Sequence, residues 1–157
     1  MKRHFFPLLL LALPLLFLVS CSDNDDLPDV DITVNFEGLY QANGQLYALR
    51  DTPLVVNSVT VTPLGSSKEA ALGSVRYYCN GVYQGTSALP PFEASFNVAE
   101  IPDGPNFLGL EMGVFQVDKS LSWAKIEFKF NVVDDAASLP DGAIPYTNST
   151  AQSSQIK

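Results

Sequence analysis

Ala124-Lys125-Ile126-Glu127-Phe128-Lys129-Phe130-Asn131-Val132 alternates without interruption, five apolar residues separated by Lys, Glu, Lys and Asn. Successive side chains of a β-strand point to opposite faces, so this stretch puts one face into a core and the other into water. Wound as a helix, the same residues would scatter Phe128 and Phe130 around the cylinder. The alternation recurs upstream. Ile32, Val34 and Phe36 alternate with Thr33 and Asn35; Val59 and Val61 with Thr60 and Thr62; Val75, Tyr77 and Cys79 with Arg76 and Tyr78. Phe92, Phe96 and Val98 mark a strand after Pro90-Pro91, and Leu108, Leu110 and Met112 another that continues through Val114 to Val117. No window has a persuasive 3.6-residue period, although Ser67 to Leu72 has room for one short turn.

Asn80-Gly81 directly follows Cys79 and suits the positive φ of a two-residue hairpin, so Val82-Tyr83-Gln84 is predicted to pair back on Val75–Cys79. Seven to eight short strands in about 100 residues, with turn signals near every tenth position, predict an all-β antiparallel sandwich. The run Val75-Arg76-Tyr77-Tyr78-Cys79-Asn80-Gly81-Val82-Tyr83-Gln84-Gly85-Thr86, followed by Pro90-Pro91-Phe92 and Phe96, resembles the bacterial Ig-like domains of secreted proteins. The resemblance extends through Asp103-Gly104 and Leu108 to Val133, covering residues 32–134. It implies an Ig-like sandwich that serves as a spacer, a stalk or a carbohydrate-binding accessory. The Cys…Trp…Cys spacing of antibody domains is missing, and Trp123 comes too late for their core tryptophan.

Ahead of this domain stand Lys2 and Arg3, then an apolar run of 15 residues from Phe5 to Val19. That is short of the roughly 20 residues a membrane-spanning helix needs, and Pro7 and Pro14 interrupt it. A basic start, an apolar centre and small residues at the end describe an export signal over 1–20. Leu18-Val19-Ser20-Cys21 resembles the lipobox of bacterial lipoproteins, which implies cleavage before Cys21, lipid on its thiol and membrane attachment through several acyl chains. Ser22-Asp23-Asn24-Asp25-Asp26 resembles the acidic export signal of Bacteroidetes-type surface lipoproteins, with Asn24 as an interruption; it implies the outer face of the outer membrane. Residues 21–31 are expected to form a solvated acidic tether. Residues 135–157, rich in Ser, Thr, Asn and Gln, are expected to form a flexible tail, with Ile144 and Tyr146 as the alternative seed of an edge strand.

The 157 residues carry 9 basic and 17 acidic side chains, a net charge of −8. Removal of Lys2 and Arg3 with the signal would make the balance −10. Such a chain cannot neutralise a run of phosphates, so nucleic acid is not an expected partner. The single histidine, His4, lies in the export segment, which leaves the mature chain without the usual zinc ligand or catalytic base. No metal or cofactor is expected, and no enzyme. Carboxylates that would suit glycoside hydrolysis (Glu93, Glu100, Asp103, Glu111 and Asp118) stand without a surrounding motif. With Cys21 lipidated, Cys79 has no disulfide partner and reads as a small buried hydrophobe.

Aromatic residues are the remaining candidates for binding. Tyr40, Tyr47, Tyr78, Tyr83, Phe107, Phe115 and Trp123 do not all fit one inward face. Tyr78 opposes the Tyr77 face, and Trp123 is out of phase with the inward run that follows it. Tyr78, Tyr83 and Trp123 are the expected binding aromatics, for a glycan or a surface protein. Two functions compete: a surface-anchored binding module, and a structural spacer or small subunit of an envelope, glycan-uptake or pilus-like assembly. A contiguous aromatic patch favours the first; a bare edge strand favours the second.

Overall fold

The computed structural model of the protein describes residues 27–65 and 68–152. The export segment 1–20, Cys21, the acidic run 22–26 and Ser67 lie outside the described residues. The rest is all-β. Eleven strands run in chain order: β1 (Val30–Glu37), β2 (Leu39–Ala42), β3 (Gln45–Leu49), β4 (Leu54–Pro63), β5 (Ala70–Cys79), β6 (Val82–Ser87), β7 (Ala94–Phe96), β8 (Gly104–Gln116), β9 (Ser122–Val133), β10 (Ile144–Pro145) and β11 (Asn148–Gln152). They form a sandwich of two sheets, ordered β11-β1-β4-β7 and β10-β2-β3-β9-β8-β5-β6. β1, β4 and β7 take the places of Ig strands A, B and E, and β9, β8, β5 and β6 those of G, F, C and C′.

The alternation quoted first is realised in full. Ala124, Ile126, Phe128, Phe130 and Val132 of β9 are buried, while Lys125, Glu127 and Lys129 face out. Across the sandwich β1 buries Val30, Ile32, Val34 and Phe36, and Phe36 meets Phe128 edge-on at 4.8 Å between ring centroids. Tyr77 of β5 reaches Phe96 of β7 in the same way at 5.8 Å. One contiguous core of aliphatic and aromatic side chains therefore joins the sheets.

Three glycines set the connections. Asn80 (φ 50°) and Gly81 (φ 78°) close β5 on β6, with Cys79 opposite Val82, as the hairpin reading requires. Gly38 (φ 83°) lies where the chain leaves β1 in one sheet for β2 in the other, and a Cβ there would stand 2.3 Å from the Pro53 carbonyl oxygen. Only glycine fits that crossing. Asn43-Gly44 (φ 52° and 75°) repeats the hairpin signature between β2 and β3. The buried Asn106 is satisfied: Nδ2 donates to the carbonyls of Pro102 (2.9 Å) and Gly104 (2.8 Å), and Oδ1 accepts from Asn80 Nδ2 (2.8 Å).

Several boundaries differ from the sequence reading. The tail expected over 135–157 is structured as far as Gln152. Ile144–Pro145 pairs with β2, and Asn148–Gln152 runs antiparallel along β1. An edge strand draws on backbone hydrogen bonds more than on apolar side chains, so its polar sequence passes for a tail. Tyr146 adds a stacked contact on Phe36 at 6.0 Å. The tether expected to reach residue 31 ends sooner: Pro28 and Val30 are buried, and the Asp29 amide donates to Gln116 Oε1 at 2.8 Å. The strand expected across Phe92–Val98 is confined to β7, because Phe92 turns at φ 64° and Val98 opens a 3₁₀ turn capped by Asn97. Ala70 to Leu72 begins β5 and is not helical.

Candidate binding surface

The outer face of the seven-stranded sheet collects the side chains that alternate away from the core. Tyr78 on β5 and Tyr83 on β6 are register partners, and their rings meet at 5.8 Å with an interplanar angle of 64°. Tyr78 is half-buried and Tyr83 exposed; the Tyr83 hydroxyl shares a 2.7 Å hydrogen bond with the Thr86 hydroxyl. Gly109 of β8 lies opposite Tyr78 and presents no side chain, which leaves the Tyr78 ring open on that flank. Two residues along β8 stands Phe107, with Lys129 Nζ 5.5 Å from its ring centroid. Tyr78, Tyr83, Phe107 and Lys129 thus occupy one end of the face.

Trp123 belongs to the other end. It pairs in register with Gly113, four residues along β8 from Gly109, or about 14 Å at the rise of an antiparallel strand. The Arg76 guanidinium crosses β8 and lies 5.4 Å from the Trp123 centroid. The indole, 58% exposed, forms a ridge between two hollows. One, of about 350 Å³, is lined by Arg76, Glu111 and Lys125; the other, of about 170 Å³, by Leu27, Pro28 and Val114. The three aromatics singled out from the sequence are therefore one pair and one separate residue. Arg76 and Lys129 carry no signal in the sequence as partners of rings, because cross-strand neighbours are far apart in the chain.

Cys79 packs against the core, as its place in the alternation requires, but is only partly buried. It lines an open cleft of about 700 Å³ between β6 and β7, with Glu93, Asn97 and Glu100 nearby, and burial pushes its thiol pKa up. The remaining carboxylates of interest are tied into ion pairs: Asp103 to Arg50, Asp118 to Lys68 and Glu111 to Lys125 at 3.7 Å. Tyr40 and Tyr47 face each other across β2 and β3, away from the β5–β6 pair. Among the described residues, β6 hydrogen-bonds to β5 alone, so its outer edge is bare. Val82–Ser87 contains no charge and no proline, the usual guards of an edge.

Fold and surface together define an Ig-like β-sandwich module with an aromatic outer face. No family model and no curated protein matches the chain. Among solved structures it is similar to the fibronectin(III)-like modules of Clostridium thermocellum CbhA, at 15% sequence identity and a TM-score of 0.37, covering 64% of this chain and 97% of that one.

Proposed function

We propose that the protein is a lipoprotein anchored through Cys21 in the outer membrane, facing the cell exterior, whose Ig-like domain binds a glycan or protein partner without catalysis. The observation that carries the binding half is the Tyr78–Tyr83 pair, extended by Phe107, on an outer sheet face. Exposed aromatic rings such as Tyr83 and Phe107 offer single faces on which sugar rings stack and apolar area that protein interfaces bury. The anchoring half rests on the sequence of residues 1–26. Tyr78→Ala and Tyr83→Ala, each folded as judged by circular dichroism, should lose retention on a glycan or protein array to which the wild type binds. Changing Asp23, Asp25 and Asp26 to Ala should leave lipidation intact and protect the protein from protease added to whole cells.

A second reading is favoured by the bare edge of β6. A spacer or assembly subunit would use that edge to accept a strand from a neighbour. Wild-type protein that binds no array component but assembles through β6, with assembly lost in a Tyr83→Pro variant, would select this reading over the first.

A further inference from the structure

We infer that the end of the sandwich where the chain enters is a seat on the bilayer surface, with Trp123, Leu121, Phe115 and Leu27 facing the lipid; this rests on the proposed lipidation of Cys21. Five of the ten exposed large apolar side chains among the described residues gather at this end: Leu27, Phe115, Val117, Leu121 and Trp123, each about half exposed. Leu27, Phe115, Leu121 and Trp123 adjoin one another. Leu27 and Trp123 line one hollow, and a Cβ on Gly113, the register partner of Trp123, would touch both Leu121 Cδ1 and Phe115 Cε2 at 3.5 Å. A joined apolar patch at one pole of a small domain marks an interaction surface, whereas single exposed residues do not.

The place of the patch identifies its occupant. Gln116, at the end of β8, accepts from the Asp29 amide (2.8 Å) and donates to the Lys68 carbonyl (3.0 Å), so the incoming chain is fastened beside the β8–β9 turn. Six residues separate Cys21 from Leu27 in position, which allows a reach of about 20 Å at full extension. Acyl chains on Cys21 would hold this pole, and no other, within that distance of the bilayer. Charges of both signs ring the patch: Lys68 pairs with Asp118, and Arg76 and the Glu111–Lys125 pair flank Trp123. An apolar indole edged by charged groups suits the headgroup region, where Trp is enriched. The Tyr78–Tyr83 pair, further along the same face, would then point toward solvent.

Trp123 is the sole tryptophan, so its fluorescence reports on the patch directly. The acylated full chain in phosphatidylcholine–phosphatidylglycerol vesicles should show blue-shifted emission, quenching by brominated lipid and protection from iodide, relative to Cys21→Ser protein mixed with the same vesicles. Leu27→Glu with Leu121→Glu should reverse all three changes while the protein still floats with the vesicles. Flotation of the wild type with emission and quenching equal to those of Cys21→Ser would overturn the seat and leave the anchor standing. Failure to float, with an intact mass showing an unmodified Cys21, would overturn both.

Discussion

Tyr77 donates its phenolic hydroxyl to the carbonyl of Phe92, 15 residues on, across the interior of the sandwich. Phe92 sits at φ 64° directly after the cis Pro90-Pro91 bond. The bond joins the seven-stranded sheet to the loop that leads into β7 in the other, while the Tyr77 ring packs on Phe96. Burial raises the hydroxyl's pKa well above its usual value of 10, since the phenolate would lose its water.

Tyr77→Phe should therefore destabilise the domain by about 1–3 kcal/mol, the cost of leaving a buried carbonyl unpaired, with the ring packing retained. It should also change the alkaline limb of stability. A folded pKa raised above the unfolded one holds the proton on the native state, so the wild type keeps this contribution below about pH 10 and loses it as pH rises further. Urea denaturation between pH 9 and pH 11 should show a shallower decline for Tyr77→Phe.

Phe128→Ala should cost about 3–5 kcal/mol, because it removes the ring that meets Phe36 edge-on and leaves a cavity between the sheets. A loss under about 1 kcal/mol in chemical denaturation would be incompatible with that packing.

Tyr146→Ala should cost about 1–3 kcal/mol by removing the half-buried ring stacked on Phe36. A chain ending at residue 143 should lose more, since β1 would also lose its pairing with β11 and become an edge. Hydrogen exchange at Val34 and Phe36, whose amides face β11, should accelerate in the truncated protein. Unchanged exchange would mean that β11 does not pair there in solution.

Cys79 should react slowly with a disulfide reagent at pH 8 in the native state, and faster as pH rises. Its thiol is partly buried and its pKa is raised, so little thiolate is present. Unfolding in denaturant should bring the rate to that of a free thiol. Equal rates before and after unfolding would place Cys79 outside the β6–β7 cleft wall.

Gly81→Val should destabilise the β5–β6 hairpin by about 1–2 kcal/mol or more, because the turn needs φ near 78° there. Since Tyr78 and Tyr83 are brought together by that hairpin, the same change should weaken any binding that depends on the pair.

The strands of the core were legible because each is half wet and half dry. Alternation along β1, β5 and β9 records both faces at once, and Asn80-Gly81 records the register between β5 and β6. Sequence was poorer where pairing rather than burial makes the element. β11 is Asn-Ser-Thr-Ala-Gln, polar at nearly every position, and only its hydrogen bonds to β1 make it a strand. The inverse error arose at Phe92 and Val98, whose apolar side chains are buried by a turn and a 3₁₀ segment instead of a strand.

By itself the sequence determined the all-β class, the inward faces and one hairpin, because period and turn chemistry are local properties of the chain. The hairpin already sets Tyr78 against Tyr83, but which outward side chains meet beyond it was decided by the order β9-β8-β5-β6, a long-range matter no local pattern encodes. That order lays Arg76 across β8 onto Trp123 and leaves Trp123 beside Leu27 at the pole where the chain comes in.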